Sequence, residues 1–366
     1  MKAVIALGLA SIGVDAKTCR ALAMSGGGSK GSYEAGALWG MYFNAANGSD
    51  YAYDVSTGVS AGALNTGALA LYAPGDEDNM LEFLSETWQN ITNKDVFKQW
   101  KPLGPVTGIR KESGVLNDQP LVDFLTKVYQ EYDYDVKRKI AVSCVDVNSG
   151  DYKVFFENTT DPIKAIVSSA SIPFVFPHQE WSEDNVVCMD GGTVWNTNLV
   201  SAIERCREDV DDDSNITLDI VLCSRHEIDS WEDTGNTINN FLRYRDIRSF
   251  NNDMSDIYEF KRAYPNVNYR NLVIPSEKMP SGMAILNMDN ATSTWPMQML
   301  GRKDGENVLK TGEGFYFKKM DEWHQSPELQ AEYPQMSDYI EHLVDEEAAK
   351  YATSQEENPK LEFIEN

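Results

Sequence analysis

The sequence predicts a three-layer α/β/α fold built around a central, mostly parallel sheet. Two observations predict it. Short apolar runs typical of strands alternate with longer segments that carry apolar residues at helical spacing. The chain has 366 residues, of which 42% are apolar, so it can bury a sizeable core in one large domain or two. In a fold of this class the active residues lie at the carboxyl ends of the strands.

The expected elements alternate along the chain. We expect strands at 20–25, 53–57, 139–146, 152–156, 186–189 and 218–224. We expect helices at 32–46, 61–71, 76–89, 119–131, 162–169 and 199–208. Beyond these, helices at 234–254 and 256–264 and a strand at 272–275 complete the same domain, and an acidic surface helix at 336–352 leads into a mobile tail.

Ser60 occupies a turn between the second expected strand and the following helix. Gly58 and Gly62 flank it in the pattern Gly-x-Ser-x-Gly, which lets a tight turn form because neither flanking residue has a side chain. The serine oxygen then stands over the N-terminus of the helix, whose dipole favours developing negative charge. The pattern predicts an esterase-type nucleophile, although a plain glycine-rich turn can have the same pattern.

The first strand runs into three consecutive glycines, Gly26, Gly27 and Gly28. Their bare backbone N–H groups can converge on an anion, here the oxygen of a tetrahedral intermediate. Lys30 adds positive potential, and Gly31 opens the following helix. We therefore expect this loop to form an oxyanion hole.

A dinucleotide-binding loop is the alternative for the same segment, since Gly26, Gly28 and Gly31 also satisfy G-x-G-x-x-G. Asp50 and Asp54 fall near the spacing of the ribose-binding acid. Because Asp54 leads directly into the serine turn, we favour the oxyanion hole.

The base that would activate Ser60 is predicted to be Asp190, which ends an apolar strand and precedes Gly191 and Gly192. None of the four histidines lies in a comparable context: His178, His226, His324 and His342. An ordinary Asp-Gly turn is the alternative. An exposed carboxylate is a poor base, so Asp190 needs apolar neighbours, for which we expect Val187, Met189 and Trp195.

These three glycine-rich junctions, in this order, resemble the patatin-like phospholipase family. A fourth segment, 165–177, is similar to the family's helix that ends in a serine-alanine-proline turn with an aromatic-proline exit. The resemblance covers about residues 20–200. The chain departs from it at Ser25, where many relatives carry aspartate, and at 195–198, where many carry proline.

The resemblance implies a Ser–Asp dyad with Ser60 as nucleophile and Asp190 as proton acceptor, and we expect no cofactor. It also implies a lipid acyl hydrolase that cleaves phospholipids or related glycerolipids. The supporting residues by position are Lys30, Gly31, Gly58, Gly62, Gly191 and Gly192. A lipid transacylase, a storage or defence protein with incidental esterase activity and a silent lipid-binding module remain alternatives.

The first sixteen residues are predicted to be a secretory signal peptide. Lys2 precedes an apolar stretch, 3–14, that is too short to span a bilayer, and small residues follow it. A native strand or helix is the alternative. We expect an acyl hydrolase domain at 17–326, with its motifs in 20–205, and an acidic C-terminal helix and tail at 327–366. Five glycosylation sequons favour a secreted protein or a lysosomal or vacuolar one: Asn47, Asn90, Asn158, Asn215 and Asn290.

The five cysteines leave at least one without a partner in the chain. We expect Cys144 and Cys188 to be simple core residues, because they lie in apolar strand-like runs, and Cys19 to be able to pair with a distant cysteine. No spacing typical of metal ligands is present, so we expect no metal cofactor.

The net charge of −25 argues against a nucleic-acid partner and against strong electrostatic docking to anionic lipid. A lipid substrate at a membrane or micelle interface would instead meet apolar side chains, through a peripheral contact. The candidates lie between the serine helix and the next helix: Trp88, Val96, Phe97, Trp100 and Leu103. Core packing is the alternative for each of them.

Overall fold

The computed structural model describes residues 17–225 and 237–356, and these contain one eight-stranded sheet flanked by helices. The strand order is β5-β6-β3-β2-β1-β7-β8, with β4 paired to β3. The pairs from β3 through β2, β1 and β7 to β8 are parallel, whereas β4, β5 and β6 are antiparallel to their neighbours. The strands are β1 Cys19–Met24, β2 Val55–Gly58, β3 Lys139–Asp146, β4 Tyr152–Phe156, β5 Gln179–Trp181, β6 Val186–Asp190, β7 Ile216–Val221 and β8 Asn268–Val273.

Helices cover both faces of the sheet, which confirms the three-layer α/β/α fold. Helices α1, α2, α7 and α10 pack together on one face, and α8 packs on β1, β2 and β7 from the other. The helices are α1 Gly31–Asn44, α2 Ala61–Leu69, α3 Glu77–Asn90, α4 Asn93–Val96, α5 Pro105–Lys111, α6 Gln119–Glu131, α7 Pro162–Ser169, α8 Leu199–Arg207, α9 Thr237–Ala263, α10 Trp295–Thr311, α11 Phe315–Gln325, α12 Pro327–Glu332 and α13 Met336–Glu356.

Glycines bring α1 and α10 into backbone contact. A Cβ at Gly36 would overlap the carbonyl of Gln298, and a Cβ at Gly301 would overlap that of Tyr33. Without side chains at these positions the two helices approach until their backbones touch. Helix α10, which also contacts β8, therefore packs directly on α1, and α1 begins directly after the glycine loop.

The expected elements differ from the observed ones mainly after residue 225. The two helices expected at 234–254 and 256–264 form one helix, α9, and the expected strand at 272–275 begins earlier, at Asn268. Short β5 and helices α4, α5, α10, α11 and α12 were not expected. The predicted signal peptide, His226 and the end of the tail lie outside the described residues.

The C-terminal helix is part of the packed structure. Helix α13 buries Tyr339, Ile340 and Leu343 and contacts α9, α10 and α11. Arg225, which follows β7, bonds to Glu341 (2.7 Å) and to Asp345 (2.9 Å) on this helix. The acidic residues of α13 thus serve in part to hold the helix on the domain.

Four of the cysteines form two disulfides. Cys19 on β1 pairs with Cys206 on α8, which confirms that Cys19 has a distant partner. Cys144 and Cys188 also form a disulfide, so the expectation that they are simple core residues is wrong. The antiparallel pairing of β3 with β6 brings their Cα atoms to 5.5 Å, within disulfide range. Cys223 is buried as a free thiol.

Candidate active site

Ser60 lies in the expected sharp turn between β2 and α2. Its backbone adopts φ 54° and ψ −115°, which non-glycine residues rarely use. A Cβ at Gly58 would overlap the carbonyl of Gly62, and a Cβ at Gly62 would lie 2.6 Å from the carbonyl oxygen of Met24. Both glycines are therefore required by close backbone contacts, and the surrounding structure holds Ser60 in its strained conformation.

Strands β2 and β6 meet end to end beside β3. Because β4 pairs with β3 along residues 141–145, β2 and β6 must share the opposite edge of β3. Gly58 pairs with Val142, and Asp190 pairs with Cys144, two residues further along. Two residues of a strand span about 7 Å. The chain after β2 consequently turns out of the sheet at Ser60, next to the position where β6 ends at Asp190.

The turn after α7 holds both candidate catalytic residues. The hydroxyl of Ser169 accepts a hydrogen bond from the backbone N–H of Ser60 (3.0 Å). Two residues later, the carbonyl of Ser171 accepts one from the N–H of Asp190 (2.9 Å). The segment similar to the family's serine-alanine-proline turn thus connects the ends of β2 and β6. Sequence reasoning assigned no such role to these serines.

Asp190 is fully buried, and its Oδ1 accepts a hydrogen bond from Gly192 N–H (2.8 Å). Side chains alternate along a strand, so Val187 and Met189 point to the opposite face, and the expectation that they flank the carboxylate is wrong. Cys144 lies directly opposite Asp190 in the antiparallel pair and shares its face. The Cys144–Cys188 disulfide therefore lies on the same face of the sheet as the carboxylate.

Tyr152 lies near Asp190 and was missed by sequence reasoning. Burial raises its pKa, and the negative charge of Asp190 raises that pKa further, against a hydrogen bond to Ser143 that lowers it. The Tyr152 hydroxyl lies 2.6 Å from Ser143 Oγ and donates to the carbonyl of Trp195 (3.3 Å). Its ring packs edge-on against exposed Trp195. Trp195, which lies in the loop after β6, is thus held against Tyr152 at this edge of the site.

The glycine loop lies against Ser60 through Gly26. A Cβ at Gly26 would lie 2.9 Å from Ser60 Cβ and 2.6 Å from Asn196 Oδ1. Gly26 exchanges two hydrogen bonds with Asn196, its N–H donating to the carbonyl (3.1 Å) and its carbonyl accepting from Nδ2 (3.2 Å). Because its N–H is already bonded, Gly26 places the loop rather than offering a donor. Within the described residues no hydrogen bond uses the N–H of Gly27 or Gly28.

A buried polar cluster supports the loop from beneath. Cys223 Sγ–H donates to Glu34 Oε1 (3.0 Å), and a Cβ at Gly27 would lie 2.7 Å from Cys223 Cβ. Ser25 accepts a hydrogen bond from Cys223 N–H (2.8 Å), so this departure from the family pattern has a structural role. Asn65 donates to Glu34 Oε2 (2.8 Å). Burial raises the pKa of Glu34 to about 8, so the carboxyl is largely protonated at neutral pH.

The remaining supporting residues lie where the loop meets the helices and the sheet. Lys30 is buried, and its carbonyl faces Cys223 Sγ. A Cβ at Gly31 would lie 2.6 Å from the ring of Trp88. A Cβ at Gly191 would lie 3.1 Å from Val59 Cγ1, so the residue after Asp190 packs against the residue before Ser60. These contacts bring the three glycine-rich junctions into one site.

The proposed ribose ligands do not belong to this site. Asp54 Oδ2 accepts a hydrogen bond from the N–H of Arg20 (2.8 Å), near the amino-terminal end of β1, and Asp50 pairs with the Arg20 side chain. The glycine loop follows the opposite end of that strand. This arrangement excludes Asp50 and Asp54 as ribose partners of a nucleotide on the loop.

The membrane-contact candidates divide into three groups. Trp88 and Val96 are buried, so core packing is the correct interpretation for them, and Trp88 Nε1 donates to Asn65 Oδ1 (2.8 Å). Phe97 and Trp100 are half-buried. Leu103 is exposed.

Residues 17–225 and 237–356 lack two kinds of feature. No helix in these ranges is both long and apolar enough to cross a bilayer. No group of three or more His, Cys, Asp or Glu side chains in them could hold a metal ion.

Comparison with known proteins identifies one family model and several distant solved structures. The model of the patatin-like phospholipase family matches residues 22–203. No curated protein matches the chain. VipD from Legionella pneumophila is 12% identical at a TM-score of 0.37, and the match covers 81% of this chain and 67% of VipD. The heterodimeric ExoU–SpcU complex from the type III secretion system of Pseudomonas aeruginosa provides a match at 13% identity and a TM-score of 0.32, covering 94% of this chain and 60% of the matched chain.

Proposed function

The chain belongs to the patatin-like phospholipase family, and we propose that it cleaves acyl esters of phospholipids or related glycerolipids through an acyl-enzyme on Ser60. Membership makes it a lipid acyl hydrolase, and the Ser–Asp mechanism is our proposal. The observation that carries it is the end-to-end meeting of β2 and β6 beside β3. That meeting brings the turn of Ser60 next to Asp190, and the glycine loop packs on the same serine.

In the first half-reaction, Asp190 accepts the proton of the Ser60 hydroxyl as the oxygen attacks the ester carbonyl. The N–H groups of Gly27 and Gly28 and the N-terminus of α2 stabilise the resulting oxyanion. The intermediate collapses to the acyl-enzyme, and the lysolipid leaves with the proton from Asp190. In the second half-reaction, Asp190 accepts a proton from a water that attacks the acyl-enzyme, and the fatty acid is released.

A transacylase would use the same residues with a lysolipid or an alcohol in place of water. A storage or defence role with incidental esterase activity is a further candidate. High abundance of the protein and slow turnover of esters would favour it. Product analysis separates the first alternative, because transfer yields a new ester and hydrolysis yields free fatty acid.

We also propose that the protein matures in the secretory pathway, as a secreted or a lysosomal or vacuolar glycoprotein. Two disulfides support an oxidising compartment. Most of the sequon asparagines are exposed, as glycosylation requires: Asn47, Asn90, Asn158 and Asn290. Sequencing of the protein isolated from a eukaryotic host should find Lys17 at its N-terminus and glycans that a glycosidase removes. An intact Met1 without glycans would contradict this compartment.

The nucleophile is tested with a fluorophosphonate probe followed by peptide mass spectrometry. We expect the label on Ser60, and we expect Ser60→Ala to lose both the label and fatty-acid release from phosphatidylcholine vesicles. Ser214→Ala, an exposed serine before β7 at the opposite end of the sheet, is the matched control and should keep both. A label on another serine would refute the assignment.

The base is tested with Asp190→Asn, which keeps the shape of the side chain and removes its basicity. We expect kcat to fall at least about a thousandfold, with the thermal unfolding transition retained. A variant that keeps near-full activity would exclude Asp190 as the base.

A further inference from the structure

Exposed apolar side chains on and before α5 lie among basic ones. Leu103 is 66% exposed and Ile109 is 68% exposed, and Val106 on the same helix is also exposed. Residues 97–111 contain four basic side chains and no acidic one: Lys98, Lys101, Arg110 and Lys111. All four are exposed, and none forms an ion pair within the described residues. Residues 97–111 therefore form a locally positive surface, although the net charge of the whole chain is −25.

The first half of α9 repeats this composition. Tyr244 is 54% exposed and Ile247 is 53% exposed. Arg248 is exposed beside them, and its guanidinium lies over the ring of Tyr244 at 5.6 Å. Residues 241–250 contain three arginines and one aspartate. Tyrosine and arginine around exposed aliphatic residues are typical of surfaces that contact a lipid interface.

The two segments meet at Phe174, beside the candidate active site. Phe174 is 60% exposed, and its ring packs edge-on against that of Phe241 on α9, with centroids 4.8 Å apart. Its carbonyl accepts a hydrogen bond from Val115 N–H (3.0 Å) in the segment that follows α5. Phe174 comes three residues after Ser171, whose carbonyl holds Asp190. The surface formed by 98–111, Phe174, Tyr244, Ile247 and Arg248, here called the docking face, therefore adjoins the site.

We propose that the docking face binds the surface of membranes that contain anionic lipids and so places the active site over its substrate. This proposal rests on the proposed function, which it deepens by naming the lipid surface. The apolar side chains enter the interface, and the lysine and arginine side chains meet the anionic head groups. The remaining surface is strongly acidic and is repelled by the same membrane, so the approach is oriented.

A second copy of the chain is a poorer occupant of this face. A symmetric dimer would bring the basic side chains of both copies together, and like charges across an interface oppose association. The membrane surface is complementary in charge as well as in hydrophobicity. We therefore assign the face to lipid.

The test is sedimentation with vesicles of phosphatidylcholine alone and of phosphatidylcholine with 30% phosphatidylserine, at low and high salt. We expect tighter binding to the anionic vesicles and weakening by salt. Lys98→Gln/Lys101→Gln/Arg110→Gln/Lys111→Gln should weaken that binding about a thousandfold. Leu103→Ser/Ile109→Ser should weaken binding to both kinds of vesicle.

A matched control changes the net charge equally on exposed lysines elsewhere: Lys17→Gln/Lys127→Gln/Lys318→Gln/Lys350→Gln. It should bind anionic vesicles as the parent protein does. Equal weakening by the control, or no preference of the parent protein for anionic vesicles, would overturn the proposal. So would a change from dimer to monomer in the docking-face variants on gel filtration, which would make the face an interface between copies.

Hydrolysis of a soluble short-chain ester separates this proposal from the proposed function. The docking-face variants should keep that activity, because none of the changed residues lies in the catalytic machinery. If the parent protein hydrolyses no ester but binds anionic vesicles through this face, the proposed function fails and the docking face stands. If the parent protein cleaves the ester but the docking-face substitutions leave vesicle binding unchanged, the docking face fails and the proposed function stands.

Discussion

At the scale of the residue, the site depends on how Ser60 is held in a conformation that serine normally avoids. The Ser169 hydroxyl, at the end of α7, accepts a hydrogen bond from the N–H of Ser60, and both groups are buried. The sequence pattern around Ser60 identified the strained turn, because the glycines that such a turn needs are its neighbours in the chain. It could not identify Ser169, since that partner lies 109 residues away and belongs to no pattern with Ser60.

We predict that Ser169→Ala lowers both stability and turnover. The change leaves a buried N–H of Ser60 without its acceptor, so the free energy of unfolding should fall by about 1–3 kcal/mol. Turnover should fall through kcat more than through KM, because the nucleophile is displaced while the lipid contacts remain. Urea unfolding and steady-state kinetics measure the two effects.

Ser171→Ala is the control for this prediction. Its hydroxyl bonds to the carbonyl of Val167, whereas its own carbonyl, which the substitution keeps, holds Asp190. If the two variants lose kcat equally, the hydroxyl of Ser169 has no particular role in positioning Ser60.

At the scale of the element, the two disulfides tie the sheet in different ways. Cys19–Cys206 joins the first strand to α8 and closes a loop of 187 residues, whereas Cys144–Cys188 joins β3 to β6 and closes one of 44. The second bond lies on the face of Asp190. The sequence predicted strands around Cys144 and Cys188 but not their bond, because strand pairing, not local composition, brings two cysteines together.

We predict that removing each bond affects a different property. In the chain-entropy model the longer loop makes Cys19→Ala/Cys206→Ala more destabilising than Cys144→Ala/Cys188→Ala, by about 1.3 kcal/mol. The activity of the folded enzyme should fall more in Cys144→Ala/Cys188→Ala, because that bond packs beside Asp190. Urea unfolding tests the predicted order of stability, and kcat measured at equal concentrations of folded enzyme tests the predicted order of activity. The opposite order of activity would show that the bond beside Asp190 does not support the carboxylate.

At the scale of the whole molecule, buried acids link stability to pH. The pKa of Glu34 is raised to about 8 and that of Asp304 to about 6, in both cases mainly by burial. The folded state keeps these protons to a higher pH than the unfolded chain, where the carboxyls ionise near pH 4 to 4.5. The unfolded state therefore binds fewer protons over this range, and stability falls as the pH rises. Self-repulsion of the −25 net charge acts in the same direction.

We predict that the free energy of unfolding decreases from about pH 5 to about pH 8. The contribution of one such carboxyl has a slope of up to about 1.4 kcal/mol per pH unit. Glu34→Gln, which stays neutral, should make the slope shallower by about one proton. Urea unfolding at several pH values measures it. An unchanged slope in this variant would mean that Glu34 is already ionised in the folded protein.

The same scale explains why sequence reasoning proposed Leu103 for a lipid contact but argued against anionic lipid. Net charge sums over the whole chain, and −25 argued against anionic lipid. The fold brings two basic segments together around Phe174, although about 125 residues of sequence separate α5 from α9. Binding to a membrane depends on the charge of the surface that faces it, and the net charge of the whole chain does not show that local charge.

The sequence alone determined the order of the main strands and helices, the turn of Ser60 and the glycine loop, because periodicity and the need for glycine act over a few neighbouring residues. Only the tertiary structure decided the disulfide between Cys144 and Cys188, the bonding of Gly26 to Asn196, and the burial of Trp88 against the exposure of Leu103. Each of these depends on which distant strands and loops become neighbours in the folded chain, and no local pattern records that.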